Sequence, residues 1–470
     1  MAPKRRAGPN AGVILFLLDA LLSVIAWGLV EVLLVPGAPD PAASLLYPAG
    51  FLLFLYALGL YRRDALLETR RALARAVVAA LLGGFAAWAG LILLRAGLPP
   101  GFPLRPAPVP SVTLPLAFAT FVATATAGRA MLSLLRRRGA FRRRLLIVGA
   151  GQRAFDLVLL LRREGRHIGY DMAFLHDPAT MGPPDERLAA DPDCRIVGTG
   201  RRFLAAARAF GADQIVVAPD DRRGLPMQAL LDCRIAGFPV YEYLRFLERE
   251  IRRVDIKRIE LGWLLYADGF TFGPIDLAAK RMLDILVSGA VLLLTSPFLA
   301  AAALAVKLQD GGPVLYRQER VTRGGRTFRI MKLRTMLVNA EKAGAVWAQD
   351  RDPRITRIGL FLRKTRLDEL PQLFNVLKGD MSFVGPRPER PEFTRQLAAL
   401  LPLYEERHVV RAGLTGWAQV NYPYGASLDD ARSKLSYDLY YVKNFSVLFD
   451  LMIIAQTLRV VMFPSAAGAR

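Results

Sequence analysis

Four apolar stretches fill the first third of the chain, at roughly residues 11–35, 44–61, 73–95 and 112–135. A helix needs about 20 apolar residues to cross a bilayer, and each stretch approaches that length. In hydrocarbon a segment must satisfy its own backbone N–H and C=O groups, so stretches of this kind cross as helices. The charges between them set direction. Lys4, Arg5 and Arg6, then Arg62, Arg63, Arg70 and Arg71, then the arginines from Arg136 to Arg144 fall on one side by strict alternation. The loops on the other side, residues 36–41 and 99–110, are proline-rich and carry a single Arg105. Basic loops stay on the cytoplasmic side, so the N-terminus and everything after Arg136 are expected there. The first stretch is too long for the apolar core of a signal peptide and lacks a small-residue cleavage site. The competing reading is a set of buried helices in a soluble protein.

The rest of the composition agrees with a membrane. Apolar residues make up 53% of 470, and the net charge is +22. Such a charge calls for anionic lipid, a phosphorylated substrate or nucleic acid. No nucleic-acid motif is visible, and the arginines bracket apolar stretches, so no nucleic-acid partner is expected. Cys194 and Cys233 make neither a disulfide framework nor a zinc site. His167, His176 and His408 are dispersed and form no metal spacing.

From Arg144 the pattern changes. Residues 145–154 read as a short apolar strand turning into a helix, with Gly149, Gly151 and Ala154 in a Gly-x-Gly-x-x-Ala fingerprint. Such a loop permits a tight turn and lets a phosphate approach a helix N-terminus. A helical run at 201–210 and a strand at 214–218 complete a Rossmann-like α/β module over residues 141–245. Asp177 is the nearest candidate for the acidic residue that follows a second strand. A lone fingerprint is weak evidence. A structural or regulatory module and a nucleotide- or CoA-binding one both stay open.

Residues 246–275 read as a linker, with charges from Arg249 to Arg258 and the aromatics Trp263, Tyr266, Phe270 and Phe272. That mixture suits a bilayer interface or an ordinary connector. Next comes an apolar run at 282–306 with Ser296-Pro297 in its middle, Lys280-Arg281 before it and Lys307 after it. Proline kinks a helix, and basic residues at both ends favour a hairpin that enters and leaves one leaflet. This predicts a re-entrant helix at 281–306. The alternative is a straight crossing.

Asp368 and Glu369 stand side by side among Arg363, Lys364, Arg366, Lys378 and Arg387. Paired carboxylates among cations suit a phosphate-rich substrate and a divalent cation. A carboxylate there holds the metal or acts as a nucleophile. The alternative is a surface ion-pair cluster at a helix start. Lys332 and Arg334, two apart on an expected strand at 328–333, would face one side.

The chain from about Lys280 to Phe463 is similar to the bacterial sugar transferases, the monotopic phosphoglycosyl transferases. The resemblance runs through Lys280-Arg-Met-Leu-Asp284, Ser296-Pro297, Gln318-Glu-Arg320, Lys332-Leu-Arg-Thr-Met336, Leu367-Asp-Glu-Leu-Pro371, Gly379-Asp-Met-Ser382, Val384-Gly-Pro-Arg-Pro388, Gly413-Leu-Thr-Gly-Trp-Ala-Gln-Val420 and Tyr437-Asp438. Ala345-Val-Trp-Ala-Gln349 and Asn421-Tyr-Pro-Tyr-Gly-Ala-Ser427 resemble the long exopolysaccharide branch. Two positions depart: Thr322 stands where that family usually has Gly, and Ala412 where it usually has Pro.

The resemblance implies an α/β membrane protein of the bacterial inner membrane. It would have four N-terminal transmembrane helices (1–140), the Rossmann-like module (141–245), the linker (246–275) and a cytoplasmic α+β catalytic domain (276–470) with the re-entrant helix. It implies transfer of a sugar-1-phosphate from a nucleotide sugar, here UDP-linked glucose or galactose, to undecaprenyl phosphate, with UMP released. Asp368 would be the nucleophile, Glu369 would hold Mg²⁺ with Asp368, and Lys332, Arg334, Arg363, Arg387 and Arg320 would contact phosphate. Homo-oligomers and polysaccharide-assembly proteins are the further partners implied. A membrane-bound nucleotide-sugar dehydratase would need a Tyr-x-x-x-Lys pair, and none occurs between Leu145 and Ile275. A non-enzymatic scaffold would leave the acidic pair degenerate, yet both acids are intact.

Overall fold

The computed structural model describes residues 11–35, 39–61, 69–137, 142–163, 169–197, 202–256, 273–338 and 353–462, apart from 101, 103, 104, 109, 222, 224, 423, 424 and 426. The motif at 345–349 and the aromatics Trp263, Tyr266, Phe270 and Phe272 lie outside the described residues. The chain divides into two units, 1–251 and 252–470.

Unit 1 opens with helices α1 (Ala11–Leu34), α2 (Pro41–Ala57), α3 (Thr69–Gly97) and α4 (Thr113–Arg137). Spans of membrane-crossing length lie at Gly12–Leu34, Ala72–Gly97 and Thr113–Leu135. The second apolar stretch gives a shorter helix of 17 residues. Asp40 caps its start by accepting from the Ala42 N–H, and the chain turns at 58–61, with Gly59 at φ 74°. The last four apolar residues therefore fall outside it. Small residues let α2 and α3 meet backbone to backbone: a Cβ on Gly50 would lie 2.7 Å from the Gly83 carbonyl oxygen. Buried Arg129 on α4 pairs with buried Asp19 on α1 at 3.3 Å. Leu17, Val24, Leu29 and Leu33 stay exposed on α1, an outer surface suited to lipid. The molecule is an α/β membrane protein.

The module that follows has five parallel strands in the order β3-β2-β1-β4-β5: β1 (Arg143–Val148), β2 (Tyr170–Leu175), β3 (Arg195–Val197), β4 (Gln214–Val217) and β5 (Val240–Glu242). Strand side chains alternate between faces. Leu145 and Ile147 of β1 therefore pack with α5 (Gln152–Arg163) and with α8 (Tyr243–Ile251). Leu146 and Val148 pack with α6 (Phe203–Phe210) and α7 (Met227–Ile235). Helices on both faces explain why the strands read as continuous apolar runs.

The described parts of the expected linker, residues 246–256 and 273–275, are built into the two units. Residues 246–251 belong to α8, and Val254 and Ile256 are buried with Leu401, Tyr404, Leu435 and Leu439 of unit 2. The Val254 N–H donates to the Ser436 carbonyl at 3.0 Å, and the Trp417 Nε1–H to the Arg252 carbonyl at 2.8 Å.

Unit 2 is entered by α9 (Pro274–Asp310), 37 residues long and of membrane-crossing length. It stays helical through Pro297. Proline cannot donate to the carbonyl four residues back, that of Leu293. The Ser296 hydroxyl donates to that carbonyl instead, at 2.8 Å. The burial along α9 has two ends and a gap. Lys280, Asp284 and Ser288 are buried, then Ala302 and Val306, while Leu293, Leu294 and Phe298 between them are 75%, 74% and 64% exposed. Lys280 Nζ donates to the Val384 carbonyl at 3.0 Å and pairs with Asp450 at 2.6 Å. At the other end Ala302 and Val306 pack on Leu333 and Leu362.

A hairpin follows, β6 (Leu315–Val321) against β7 (Thr327–Leu333), with Tyr316 opposite Lys332 and Arg320 opposite Phe328. Helices α10 (Arg357–Thr365) and α11 (Gln372–Lys378) flank a 3-10 turn at Leu367–Glu369. Two short parallel strands, β8 (Ser382–Val384) and β9 (Gly413–Thr415), then pack with α14 (Leu428–Lys443) and α15 (Val447–Met462), after α12 (Pro391–Leu400) and α13 (Trp417–Asn421). The C-terminal apolar segment thus serves two surfaces. Asp450, Ile453, Gln456 and Arg459 of α15 are buried, whereas Leu448 and Leu451 are exposed.

Candidate active site

Helix α10 is capped by Arg366, which adopts φ 62°, a left-handed conformation that L side chains avoid at a cost of about 1–2 kcal/mol. That reversal starts the 3-10 turn and brings Asp368 inside, 7% exposed, with Glu369 beside it. Three cations close on Glu369. Lys332 Nζ lies 3.4 Å from Oε1, Arg387 Nη2 3.3 Å from Oε1, and Arg366 Nη1 3.4 Å from Oε2. Lys332 arrives on the inner face of β7, the side of Phe328 and Ile330. Arg387 arrives on the loop after β8, between Pro386 and Pro388. Its carbonyl accepts from Arg407 Nη2 at 3.0 Å, and buried Arg407 also donates to Asp438 and to the Tyr404 hydroxyl, each at 2.8 Å.

The two acids are pushed apart in acidity. Burial and the neighbouring Glu369 charge raise Asp368 to about 6, against the pull of Lys332, Arg363 and Arg366. Burial also raises Glu369, but Lys332, Arg387 and Arg366 outweigh it and hold the carboxyl at about 2. Burial lowers the Lys332 ammonium, with Glu369 opposing. Burial raises Asp438 to about 6 in spite of Arg407. Oppositely tuned neighbouring acids are a mark of chemistry.

Glu369, Lys332, Arg366 and Arg387 line a cavity of about 410 Å³. Arg320 lines it too, donating to the Pro388 carbonyl at 3.2 Å and to Gln318 at 2.6 Å. Val291 of the long apolar helix α9, Leu414 and Val460 form an apolar wall. The cavity thus joins a cationic side to an apolar wall.

Four of the five cations expected around phosphate gather here. Arg363 contributes its charge to Asp368 and donates from Nε to the Thr335 hydroxyl at 2.9 Å. Arg334 stands apart. It lies one residue past the end of β7, and its guanidinium is bound to Asp310 at the end of α9. Arg366, Arg407 and Asp438 were not among the expected site residues, although Arg366 adjoins the acidic pair and Asp438 lies in a family block. The two departures from the family pattern meet: the Ala412 N–H donates to the Thr322 hydroxyl at 3.2 Å, which donates to the Asp380 carbonyl at 3.0 Å. A proline at 412 would have no N–H and a glycine at 322 no hydroxyl.

Magnesium keeps several waters and binds through one or two carboxylates plus substrate phosphates. Among the described residues no group of three or more His, Cys, Asp or Glu converges on a metal site. Asp368 Oδ1 is buried without a hydrogen-bond partner, next to the Glu369 carboxylate. That sparse donor set fits a magnesium ion bound together with a phosphorylated substrate.

Residues 275–464 match the bacterial sugar transferase family. The chain is 44% identical over 254 residues to the UDP-N-acetylgalactosamine-undecaprenyl-phosphate N-acetylgalactosaminephosphotransferase of Aeromonas hydrophila, a match over 53% of this chain and 58% of that one. It is 32% identical over 347 residues to the UDP-glucose:undecaprenyl-phosphate glucose-1-phosphate transferase of Klebsiella pneumoniae, 72% of each chain. It is 42% identical over 189 residues to the exopolysaccharide production protein PSS of Rhizobium leguminosarum bv. phaseoli, 39% of this chain and 94% of that one.

Proposed function

The chain belongs to the bacterial sugar transferase family, and from that premise we propose that it moves a sugar-1-phosphate from a UDP-hexose to undecaprenyl phosphate, starting an exopolysaccharide repeat unit. The observation that carries this is Asp368: a buried carboxylate with an unpartnered oxygen, next to Glu369, which lines a cationic cavity that reaches the long apolar helix.

In the first step an Asp368 oxygen attacks the phosphorus next to the sugar. The bond from that phosphorus to the bridging oxygen breaks, and UMP leaves with the electron pair. Asp368 then carries a phosphosugar as an acyl phosphate. In the second step an oxygen of undecaprenyl phosphate attacks the same phosphorus and releases the carboxylate, giving undecaprenyl diphosphate sugar. Splitting one transfer between two anions into two covalent steps lowers each barrier. With an acidity near 6, Asp368 is ionised at neutral pH yet poorly solvated, as a nucleophile needs. Lys332, Arg387, Arg366 and Arg320 orient and neutralise the phosphate oxygens. Glu369 and Asp368 would hold Mg²⁺, which supplies further charge neutralisation on the pyrophosphate.

Helix α9 is read as re-entrant, with both ends on the cytoplasmic side. Its two packed ends rest on the same unit, while the stretch around Pro297 projects free of it. A straight crossing would carry one packed end across the bilayer.

The test is incubation of membranes with UDP-glucose, UDP-galactose and UDP-N-acetylgalactosamine, scoring UMP with and without undecaprenyl phosphate. Turnover should need the acceptor, and a phosphosugar should be trapped on Asp368 in its absence. Wild-type rates from Asp368→Asn would replace the covalent route with direct displacement, and no UMP from any donor would remove the assignment.

A further inference from the structure

The glycine fingerprint of unit 1 takes no part in this chemistry. We infer that its anion cradle is filled by the chain's own Asp220, so the module holds no dinucleotide, CoA or other phosphate ligand there. In a dinucleotide site, the second glycine lets the pyrophosphate come close, and the first N–H groups of the helix receive its oxygens. Here a carboxylate takes that position. Asp220 Oδ2 accepts from the Gln152 N–H and Oδ1 from the Arg153 N–H, each at 2.7 Å. Asp220 follows β4, the neighbour of β1 in the sheet, so it enters at the crevice where the strand order reverses.

Every fingerprint position is accounted for by contacts inside the chain. A Cβ on Gly151 would lie 2.0 Å from Asp220 Oδ2. Gly149 has φ +100°, and a Cβ there would lie 2.9 Å from Pro219 Cα. Ala154, in the first turn of α5, is fully buried in the core. The residue after β2, where a dinucleotide site places its ribose-binding acid, is His176. It is 3% exposed, its Nδ1 accepts from the Ala150 N–H at 3.2 Å, and its Nε2 lies 2.8 Å from the Gly182 carbonyl. Arg187 covers the remaining side, donating to Gln152 Oε1 at 2.6 Å and lying 3.8 Å over the Phe155 ring. The loop has the shape of a ligand site, and its ligand is a side chain.

The test uses the full-length protein in nanodiscs, with hydrogen exchange read on peptides covering residues 149–156. In the wild type, millimolar NAD⁺, NADH, CoA or inorganic phosphate should leave the protection of Gln152 and Arg153 unchanged. Asp220→Ala should lose that protection, and inorganic phosphate or sulfate should restore it by filling the cradle. Gly151→Ala should also lose it, because the new methyl collides with the Asp220 carboxylate. The same substitution in the Asp220→Ala background should add no further loss. Asp220→Asn keeps the shape and one acceptor, so partial protection is expected even if the alanine variant fails to assemble. Protection of the wild-type loop by NAD⁺ or CoA overturns the inference. So does unchanged protection in Asp220→Ala, Asp220→Asn or Gly151→Ala.

Discussion

Asp368→Asn should abolish transfer and at the same time stabilise the fold. The Asp368 carboxyl sits at about 6 against an ordinary 3.8, chiefly because burial opposes its charge. That gap corresponds to about 3 kcal/mol of folding free energy lost at neutral pH. Asparagine has the same shape and no charge, but its buried amide donors need partners, which offsets about 1–2 kcal/mol. A net gain of about 1–2 kcal/mol remains, a rise in Tm of about 2–8 °C for a unit of this size. The pH dependence follows from the sign of the shift. A raised acid binds its proton more tightly in the folded state. The wild-type penalty is therefore full above about 6, shrinks as pH falls towards 3.8 and is gone below it. The assay is tryptophan-fluorescence melting of the purified full-length protein with chelator, across that pH range, beside UMP release. Magnesium should narrow the gap by stabilising the wild type alone. An asparagine variant that melts below the wild type at neutral pH, or a gap that ignores pH, would refute the reasoning.

Turnover at limiting donor should fall as Asp368 is protonated, with a midpoint at about 6, while Glu369, held at about 2, stays ionised. A pH–rate profile should show about a tenfold loss from pH ~7 to pH ~5. Replacing Ser296-Pro297 with Leu-Leu restores the backbone donor and should favour a straight crossing. Cysteine labels near Asp276 and Gln309 should both react from the cytoplasm in the native chain, and Gln309 only from the periplasm in the variant. Removing residues 1–251 should leave a unit that folds and transfers. Cutting at 270 also deletes buried Val254 and Ile256, and should lower stability by about 2–5 kcal/mol in denaturant titration. Thr322→Gly and Ala412→Pro should each cost about 1 kcal/mol. The double variant should cost less than the two combined, because the Ala412–Thr322 hydrogen bond is lost in both single variants; strict additivity would count against their coupling.

Local rules carried the site as far as local geometry reaches. Strand alternation placed Lys332 on the inner face of β7, where it meets Glu369. The same parity was extended to Arg334, but β7 stops at Leu333, and Asp310, far back in sequence, captures the guanidinium. No pattern announces that Arg366 takes a left-handed turn, because that conformation is imposed by packing on both sides. The stretch at 44–61 looked like one span, since apolar composition does not register the turn at 58–61. Asp220 was invisible for a related reason: it caps a loop across the sheet, and such pairings are a product of topology. The backbone hydrogen bond lost at Pro297 was legible because proline acts on its own neighbours, although the helix runs on through it.

The ion pair between Asp19 and Arg129 also bears on the order in which the protein is made. These residues sit on the first and last of the four N-terminal helices, nearly fully buried and 3.3 Å apart. Each alone adds about 2.5–3.5 kcal/mol to the cost of inserting its helix. During synthesis α1 emerges first and must wait through α2 and α3 with its acid facing no cation. The charge is answered only when α4 arrives. The bundle therefore closes late and as a whole, and a chain interrupted before Arg129 would leave in the bilayer a helix marked as unfinished.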